Sequence, residues 1–243
     1  MTTKKTNPFR FKQFTIFQDR TTMKVGTDGI LLGAWAKTSG AENILDIGAG
    51  SGLIGLMVAQ RNASARITAV EIDEVAFLEA KDNIRKSPWS DRVTIHHTSI
   101  QQFTRDAESS FGSIISNPPF FTGGTFSYSQ DRNNVRHTVK LPHGELLMSV
   151  RRLLKPGGKF SLILPYLEGL RFCELAETYN LYCSRSQEVL PKEDRPVERL
   201  LMEFCKEKPE QCIVEPPLVI QKGGVNDWTD DFKKLTRDFY LNM

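Results

Sequence analysis

From residue 43 onward the chain alternates short apolar, β-rich runs with helical stretches, joined by short connections. Residues 43–47, 66–70, 92–96, 113–116 and 159–164 read as strands. Residues 53–61, 74–86, 143–154 and 168–178 read as helices, with Lys155-Pro156-Gly157-Gly158 as a strong helix stop. Such alternation dictates a mostly parallel sheet covered by helices on both faces, an α/β three-layer sandwich. Two more strands, 181–189 and 198–205, lie close together with Pro191 and Pro196 between them, the pattern of an antiparallel hairpin at one edge. A further short strand over 212–220 and a terminal helix over 227–240 complete the reading. Phe9, Phe11, Phe14, Ile16 and Phe17 make an aromatic stretch expected to form a strand pair or cap.

The 243 residues suffice for one large domain. We read residues 1–8 as a flexible basic tail and 9–243 as a single domain. The domain carries an N-terminal extension (9–40) and a long loop (121–142) rich in Gly, Ser, Thr, Asn and Arg. A loop of that length inside a compact domain is usually functional or disordered. No apolar run approaches the roughly 18 residues that span a bilayer, and the polar N-terminus is unlike a signal peptide. A cytoplasmic protein without membrane attachment is therefore expected. The four cysteines, Cys173, Cys183, Cys205 and Cys212, form no Cys-x-x-Cys pair and have no histidine at zinc-ligand spacing. Neither a disulfide framework nor a metal site is expected, and a monomer is the working expectation. Net charge is only +3, but basic residues cluster up to residue 25 and again from Arg132 to Lys155, a distribution compatible with phosphate contacts as well as with ordinary solvated surface.

Two motifs carry chemistry. Asp46-Ile47-Gly48-Ala49-Gly50-Ser51-Gly52 follows the first strand of the alternating region and opens a helix. Glycines there permit a tight turn and close approach of a ligand, and the helix N-terminus offers free N–H groups. Alone, this turn fits a nicotinamide cofactor equally well. Asp46 shifts the balance, since a carboxylate in that place repels a pyrophosphate; it can orient the turn or hold a ligand's cationic amino group. Glu71, roughly 20 residues further on and ending the next strand, is placed to accept ribose hydroxyls. It can also serve as a helix N-terminal acid.

The second motif is Asn117-Pro118-Pro119-Phe120, at the carboxyl end of the strand 113–116. Ligands of parallel sheets bind at that edge. Two prolines fix φ and hold an extended turn, letting the Asn117 amide oxygen and the Pro118 carbonyl point outward as acceptors. A planar amino group has two protons to donate and a lone pair delocalised into its ring. Accepting both protons builds charge on the nitrogen as it attacks a methyl sulfonium. Phe120 offers a flat face for a flipped base. A strand-ending turn without chemistry is the plain alternative. His96, His97, His137 and His143 are read as surface or loop residues, and Trp35, Trp89 and Trp228 as packing.

Together, residues 46–52, Glu71 and 117–120 resemble the class I methyltransferases that act on amino groups. The stretch Gln18-Asp19-Arg20, with residues 23–35 after it, resembles more narrowly the bacterial tRNA1(Val) adenine-37 N6-methyltransferases, with consistent spacing from about Phe9 to Cys205. The resemblance implies a Rossmann-like class I fold with a seven-stranded, mostly parallel sheet and an antiparallel C-terminal hairpin. It implies S-adenosylmethionine as methyl donor and an anticodon-loop adenine of tRNA as acceptor. Asn117, Pro118 and Phe120 are then the catalytic candidates. Lys24, Thr27, Asp28, Asp46, Gly48, Gly50, Gly52, Glu71, Ile72, Ser99, Ile100 and Asn117 are the donor-binding candidates. Pro119, Phe121, Arg132 and Arg136 are the candidates for substrate contact.

By the resemblance, Lys24, Thr27 and Asp28 border the donor's methionine end; by local sequence alone, Thr27-Asp28 caps a helix over 29–36. Ser99 stands where the family pattern has an acidic residue for the donor's adenine amino group. Phe120 stands where adenine-modifying relatives often carry Tyr. Ribosomal-RNA guanine-N2 methyltransferases and protein glutamine-N5 methyltransferases use related turns and are the nearest alternatives. A non-catalytic cofactor-binding module and a nicotinamide-dependent oxidoreductase are the alternatives from outside the class.

Overall fold

The computed structural model describes residues 7–21, 23–107, 111–119, 141–224 and 226–241. A small hairpin, β1 (Phe9–Arg10) with β2 (Thr15–Ile16), opens the chain, followed by α1 (Thr27–Trp35). The alternating region is β3 (Asn43–Ile47), α2 (Leu53–Arg61), β4 (Arg66–Glu71), α3 (Glu74–Lys86), β5 (Val93–His97), α4 (Ile100–Asp106), β6 (Phe111–Ser116), α5 (His143–Leu153), β7 (Leu154–Pro165) and α6 (Tyr166–Thr178). It ends with β8 (Tyr182–Lys192), β9 (Arg199–Cys205), β10 (Ile213–Gln221) and α7 (Asp230–Thr236).

Among the described residues the main sheet has eight strands, in the order β10-β8-β9-β7-β6-β3-β4-β5. Only β9 runs against its neighbours, antiparallel to both β7 and β8. The hairpin expected from the two prolines is thus β8–β9, with β9 inserted beside β7. The eighth strand is β10, which pairs parallel to β8 and shifts register between Glu215 and Leu218. Pro216 and Pro217 sit in that shift. Proline cannot donate to a ladder, so such a strand is confined to an edge, where β10 lies.

Alternate residues of the central strands feed two separate cores. Ile44, Ile67, Ile115, Ile163 and Leu201 pack with α1, α2, α7 and the N-terminal hairpin. Leu45, Ile114, Leu162, Leu164 and Met202 pack with α4, α5 and α6. Burial on both faces is why these strands read as unbroken apolar runs. Helix α1 is buried from Gly29 to Trp35, as expected of a helix apolar all round. It settles onto α2 through small residues: a Cβ at Gly33 would lie 2.8 Å from Met57 Sδ.

Several boundaries differ from the sequence reading. Helix α4 is new; it is short and buries only Ile100 and Thr104, too little to leave a periodic signal. The terminal helix is shorter than 227–240 because Thr229 caps it, accepting from Phe232 N at 3.2 Å. Strand β7 starts immediately after α5, and residues 155–158 bulge out opposite Gly112.

Candidate active site

Strand β3 is flanked by β4 on one side and β6 on the other. Chain order reverses about β3, which makes its carboxyl end the switch point where open α/β sheets bind ligands. The three strands end level: Ile47 pairs with Val70 and with Ser116. The Gly-rich turn, Glu71 and Asn117 therefore stand side by side.

The turn is built from backbone and carboxylates. Gly48, Gly50 and Gly52 have φ of 71°, 56° and 83°. Gly48 and Ala49 N–H both donate to Val70 O, at 2.9 and 3.1 Å. A Cβ at Gly48 or Gly50 would meet nothing within 4 Å, so glycine is needed there for its left-handed φ and leaves the turn open to a ligand. Glu71 is buried and bridges two segments: Oε2 accepts from Gly50 N at 2.8 Å and Oε1 from Asp73 N at 2.9 Å. Each carboxylate oxygen retains a second lone pair. Asp73, not Glu71, caps α3.

Asp46 is 1% exposed, and its Oδ2 accepts from Gly55 N at 2.9 Å, which orients α2 on β3. Its Oδ1 is buried with no hydrogen-bond partner among the described residues. Burial, joined by the negative charge of Glu71, pushes the Asp46 carboxyl up to about 7 against the bond from Gly55.

Asn117, Pro118 and Pro119 extend from β6 at the same edge. Asn117 Oδ1 is also buried without a partner among the described residues. Unpaired buried acceptors are costly and uncommon in a finished structure. Two of them at one strand edge, beside an open glycine turn, fit a site that receives hydrogen-bond donors from ligands. The first turn of α1 backs Asn117: a Cβ at Gly29 would lie 4.0 Å from its Nδ2.

The N-terminal extension crosses α3 on its way to α1. Arg20 and Thr21 N–H donate to the two Glu79 oxygens at 2.8 and 3.0 Å. Asn83 exchanges bonds with Phe17 and also donates to Ser51 O at 2.9 Å, tying extension and Gly-rich turn to one side chain. Glu79 and Asn83 were missed in the sequence, although both sit on the buried stripe of α3 with Ala76, Ala80 and Ile84. Polar residues on such a stripe are the signal. Lys24 Nζ donates to Thr21 O at 2.7 Å and to Gln18 O. The helix reading of Thr27-Asp28 needs correction: α1 begins at Thr27, its N-cap is Gly26, and neither side chain caps it. Asp28 is instead paired with Arg199 Nε at 2.8 Å.

At the other end of the site, Ile72 is 43% exposed beside Glu71. Ser99 caps α4, its Oγ accepting from Gln102 N at 3.1 Å. The Ile100 side chain is buried in the second core. His96 and His97 are exposed, whereas His143 is partly buried, with Nε2 3.2 Å from Glu168 Oε1. Phe120, Phe121, Arg132, Arg136 and His137 lie outside the described residues, as does most of the 121–142 loop. The described residues contain no group able to hold a metal ion and no helix long and apolar enough to cross a membrane.

Residues 20–168 match the sequence profile of the Methyltransferase small domain. The tRNA1(Val) (adenine(37)-N6)-methyltransferase of Dyadobacter fermentans is 46% identical over 239 residues, covering 97% of this chain and 98% of its own. The chain belongs to that methyltransferase family. The Histophilus somni relative of the same name is 44% identical over 240 residues, covering 98% of this chain and 99% of its own. Among solved structures, a predicted O-methyltransferase of Agrobacterium tumefaciens superposes with a TM-score of 0.68 at 19% identity, over 87% of this chain and 96% of that one. That likeness establishes the class I fold. S-adenosylmethionine is the donor of this methyltransferase, and the turn with its two carboxylates fits it.

Proposed function

We propose that the protein methylates the exocyclic N6 of an adenine in tRNA, adenine 37 of a valine tRNA, using Asn117 and Pro118 to accept the target amine's two protons. The observation that carries the chemistry is the buried, unpaired Asn117 Oδ1 beside the glycine turn. The names of the full-length relatives support the substrate. S-adenosylmethionine supplies an electrophilic methyl group on sulfonium. The turn at Gly48, Gly50 and Gly52 receives it closely, Glu71 takes the ribose hydroxyls, and Asp46 keeps the turn oriented on α2. Lys24, Thr27 and Asp28 border its methionine end; Ile72, Ser99 and the backbone at Ile100 border its adenine. Two acceptors on the target nitrogen raise its electron density, and the attacking geometry is fixed by Pro118 and Pro119. The methylated nitrogen loses its extra proton readily to water, so no general base is required. Phe120 stacks the flipped base, Pro119 contacts the RNA from the turn, and Phe121, Arg132 and Arg136 contact it from the 121–142 loop. In this reading residues 9–243 form one cytoplasmic, monomeric domain.

The test uses labelled S-adenosylmethionine, unmodified bulk bacterial tRNA and nucleoside digestion. Label in N6-methyladenosine is expected. Label on guanine or on protein would replace the proposal with one of the related activities, and no transfer at all would favour a binding module. Asn117→Ala is expected to abolish transfer while donor affinity stays near that of the parent; parallel loss of donor affinity would show the assigned role to be wrong.

A further inference from the structure

Arg199 is the first residue of β9 and pairs with Pro165, the last of β7. Because β9 runs antiparallel, its beginning lies at the carboxyl edge of the parallel strands, the edge that carries Asn117. The Arg199 guanidinium reaches across 171 positions of sequence to Asp28, with Nε 2.8 Å from Oδ2. Both side chains are largely shielded, at 26% and 21% exposed. A charge-assisted bond in a shielded place holds geometry better than one on open surface.

What it holds is the head of α1. That helix has no side-chain cap, and Asp28 is the acid of its first turn. The next residue, Gly29, lies close to both Leu53 and Asn117: a Cβ added there would come within 3.0 Å of Leu53 and 4.0 Å of Asn117 Nδ2. The α3 clamp at Glu79 and Asn83 secures the chain before α1 on one side. Asp28–Arg199 secures the helix head on the other, from β9.

We propose that Arg199 is a positioning residue for methyl transfer, which through Asp28 fixes the first turn of α1 against the catalytic Asn117. The proposal rests on the reading of Asn117 as acceptor of the target amine. Attack on an sp3 methyl group demands close alignment, and a displacement of about 1 Å costs on the order of 100-fold in rate. Loss of the ion pair loosens the wall behind the Asn117 amide, so its oxygen meets the amine less often in the reactive orientation. The effect falls on turnover and leaves substrate binding nearly intact.

Arg199→Ala, Arg199→Lys, Asp28→Asn and the double variant Asp28→Asn/Arg199→Ala are assayed for kcat, tRNA KM and donor Kd, with thermal melts on each. Arg199→Ala and Asp28→Asn are each expected to lower kcat by ~10- to 100-fold. In Arg199→Ala, KM and Kd should stay within roughly threefold of the parent. Asp28→Asn, at a residue that borders the donor's methionine end, is compared on kcat and tRNA KM, and the double variant should lose no more kcat than the worse single one, as coupled partners do. Arg199→Lys, which keeps a cationic donor, should recover most of the rate. Raised tRNA KM with unchanged kcat would overturn the proposal in favour of a direct RNA contact. Additive losses in the double variant would overturn it, as would a rate loss fully matched by the unfolded fraction. Asn117→Ala separates the two levels: full activity there removes the reading of Asn117, and any effect of Arg199 would then need another target.

Discussion

Replacing Asp46 with Asn tests how the donor site stores electrostatic strain. Asp46 is buried, has one oxygen unpaired among the described residues, and has its carboxyl raised from 3.8 to about 7. A carboxyl raised on folding binds its proton more tightly in the native state than in the unfolded one. Below about pH 4 both states are protonated and the group is neutral to stability. Between there and about pH 7 the unfolded chain ionises first, so stability falls as pH rises; above about 7 the penalty is constant. At 1.36 kcal/mol per unit, the wild type should lose about 3 kcal/mol between pH 5 and pH 8 through this one group. Asn has the same shape, can still accept from Gly55 N, and does not titrate. The assay is urea unfolding of both proteins from pH 5 to pH 8, followed by tryptophan fluorescence. Asp46→Asn should gain about 3 kcal/mol on the wild type across that range, whatever its offset at pH 5. Stability curves that run parallel to within about 0.5 kcal/mol would refute a buried, strained carboxyl.

Arg185→Ala should destabilise by about 3–5 kcal/mol in urea unfolding, because Arg185 is 4% exposed, bonds Glu203 at 3.0 Å and Glu215 at 3.1 Å, and lies 3.5 Å over the Trp35 ring. Replacing Arg185 and Glu203 together with Met and Leu should cost much less, since no buried carboxylate is left alone at Glu203. Gly50→Ala forces a side chain into φ 56°, for about 1–2 kcal/mol of stability, and calorimetry should show weaker donor binding because the new methyl projects into the open turn. Asn83→Ala releases Phe17 and Ser51 together. Limited proteolysis should then cut the extension before Lys24 faster than in the parent, and donor dissociation should quicken.

Much of the fold was legible because local and tertiary preferences agree. Strands β3, β4 and β6 are buried on both faces, so each is a short apolar run, and each ends at a Gly, acid or Asn-Pro signal that marks the functional edge. Helix α4 escaped detection because seven residues with two buried side chains carry no period. Strand β10 looked marginal because it is an outer strand, with Ile213 and Val214 exposed and two prolines in its ladder. At the site, Gly48, Gly50, Glu71 and Asn117 are adjacent because their strands end level, which the order of motifs along the chain foretells. The Glu79–Asn83 clamp and the Arg199–Asp28 pair depend on contacts across 58 and 171 positions respectively, and no local pattern encodes such distances. Ser99 follows from the same gap: its role as the cap of α4 stayed hidden because α4 itself carries no period, and the family resemblance pointed to another role.

The most direct measurement compares two unmodified valine-tRNA transcripts that differ only at position 37, one with adenine and one with guanine, each incubated with enzyme and labelled S-adenosylmethionine. An enzyme that presents two acceptors to an adenine amino group should incorporate one methyl per adenine-37 transcript, recovered as N6-methyladenosine, and none into the guanine-37 transcript. Equal incorporation into both, or label recovered as N2-methylguanosine, would contradict it.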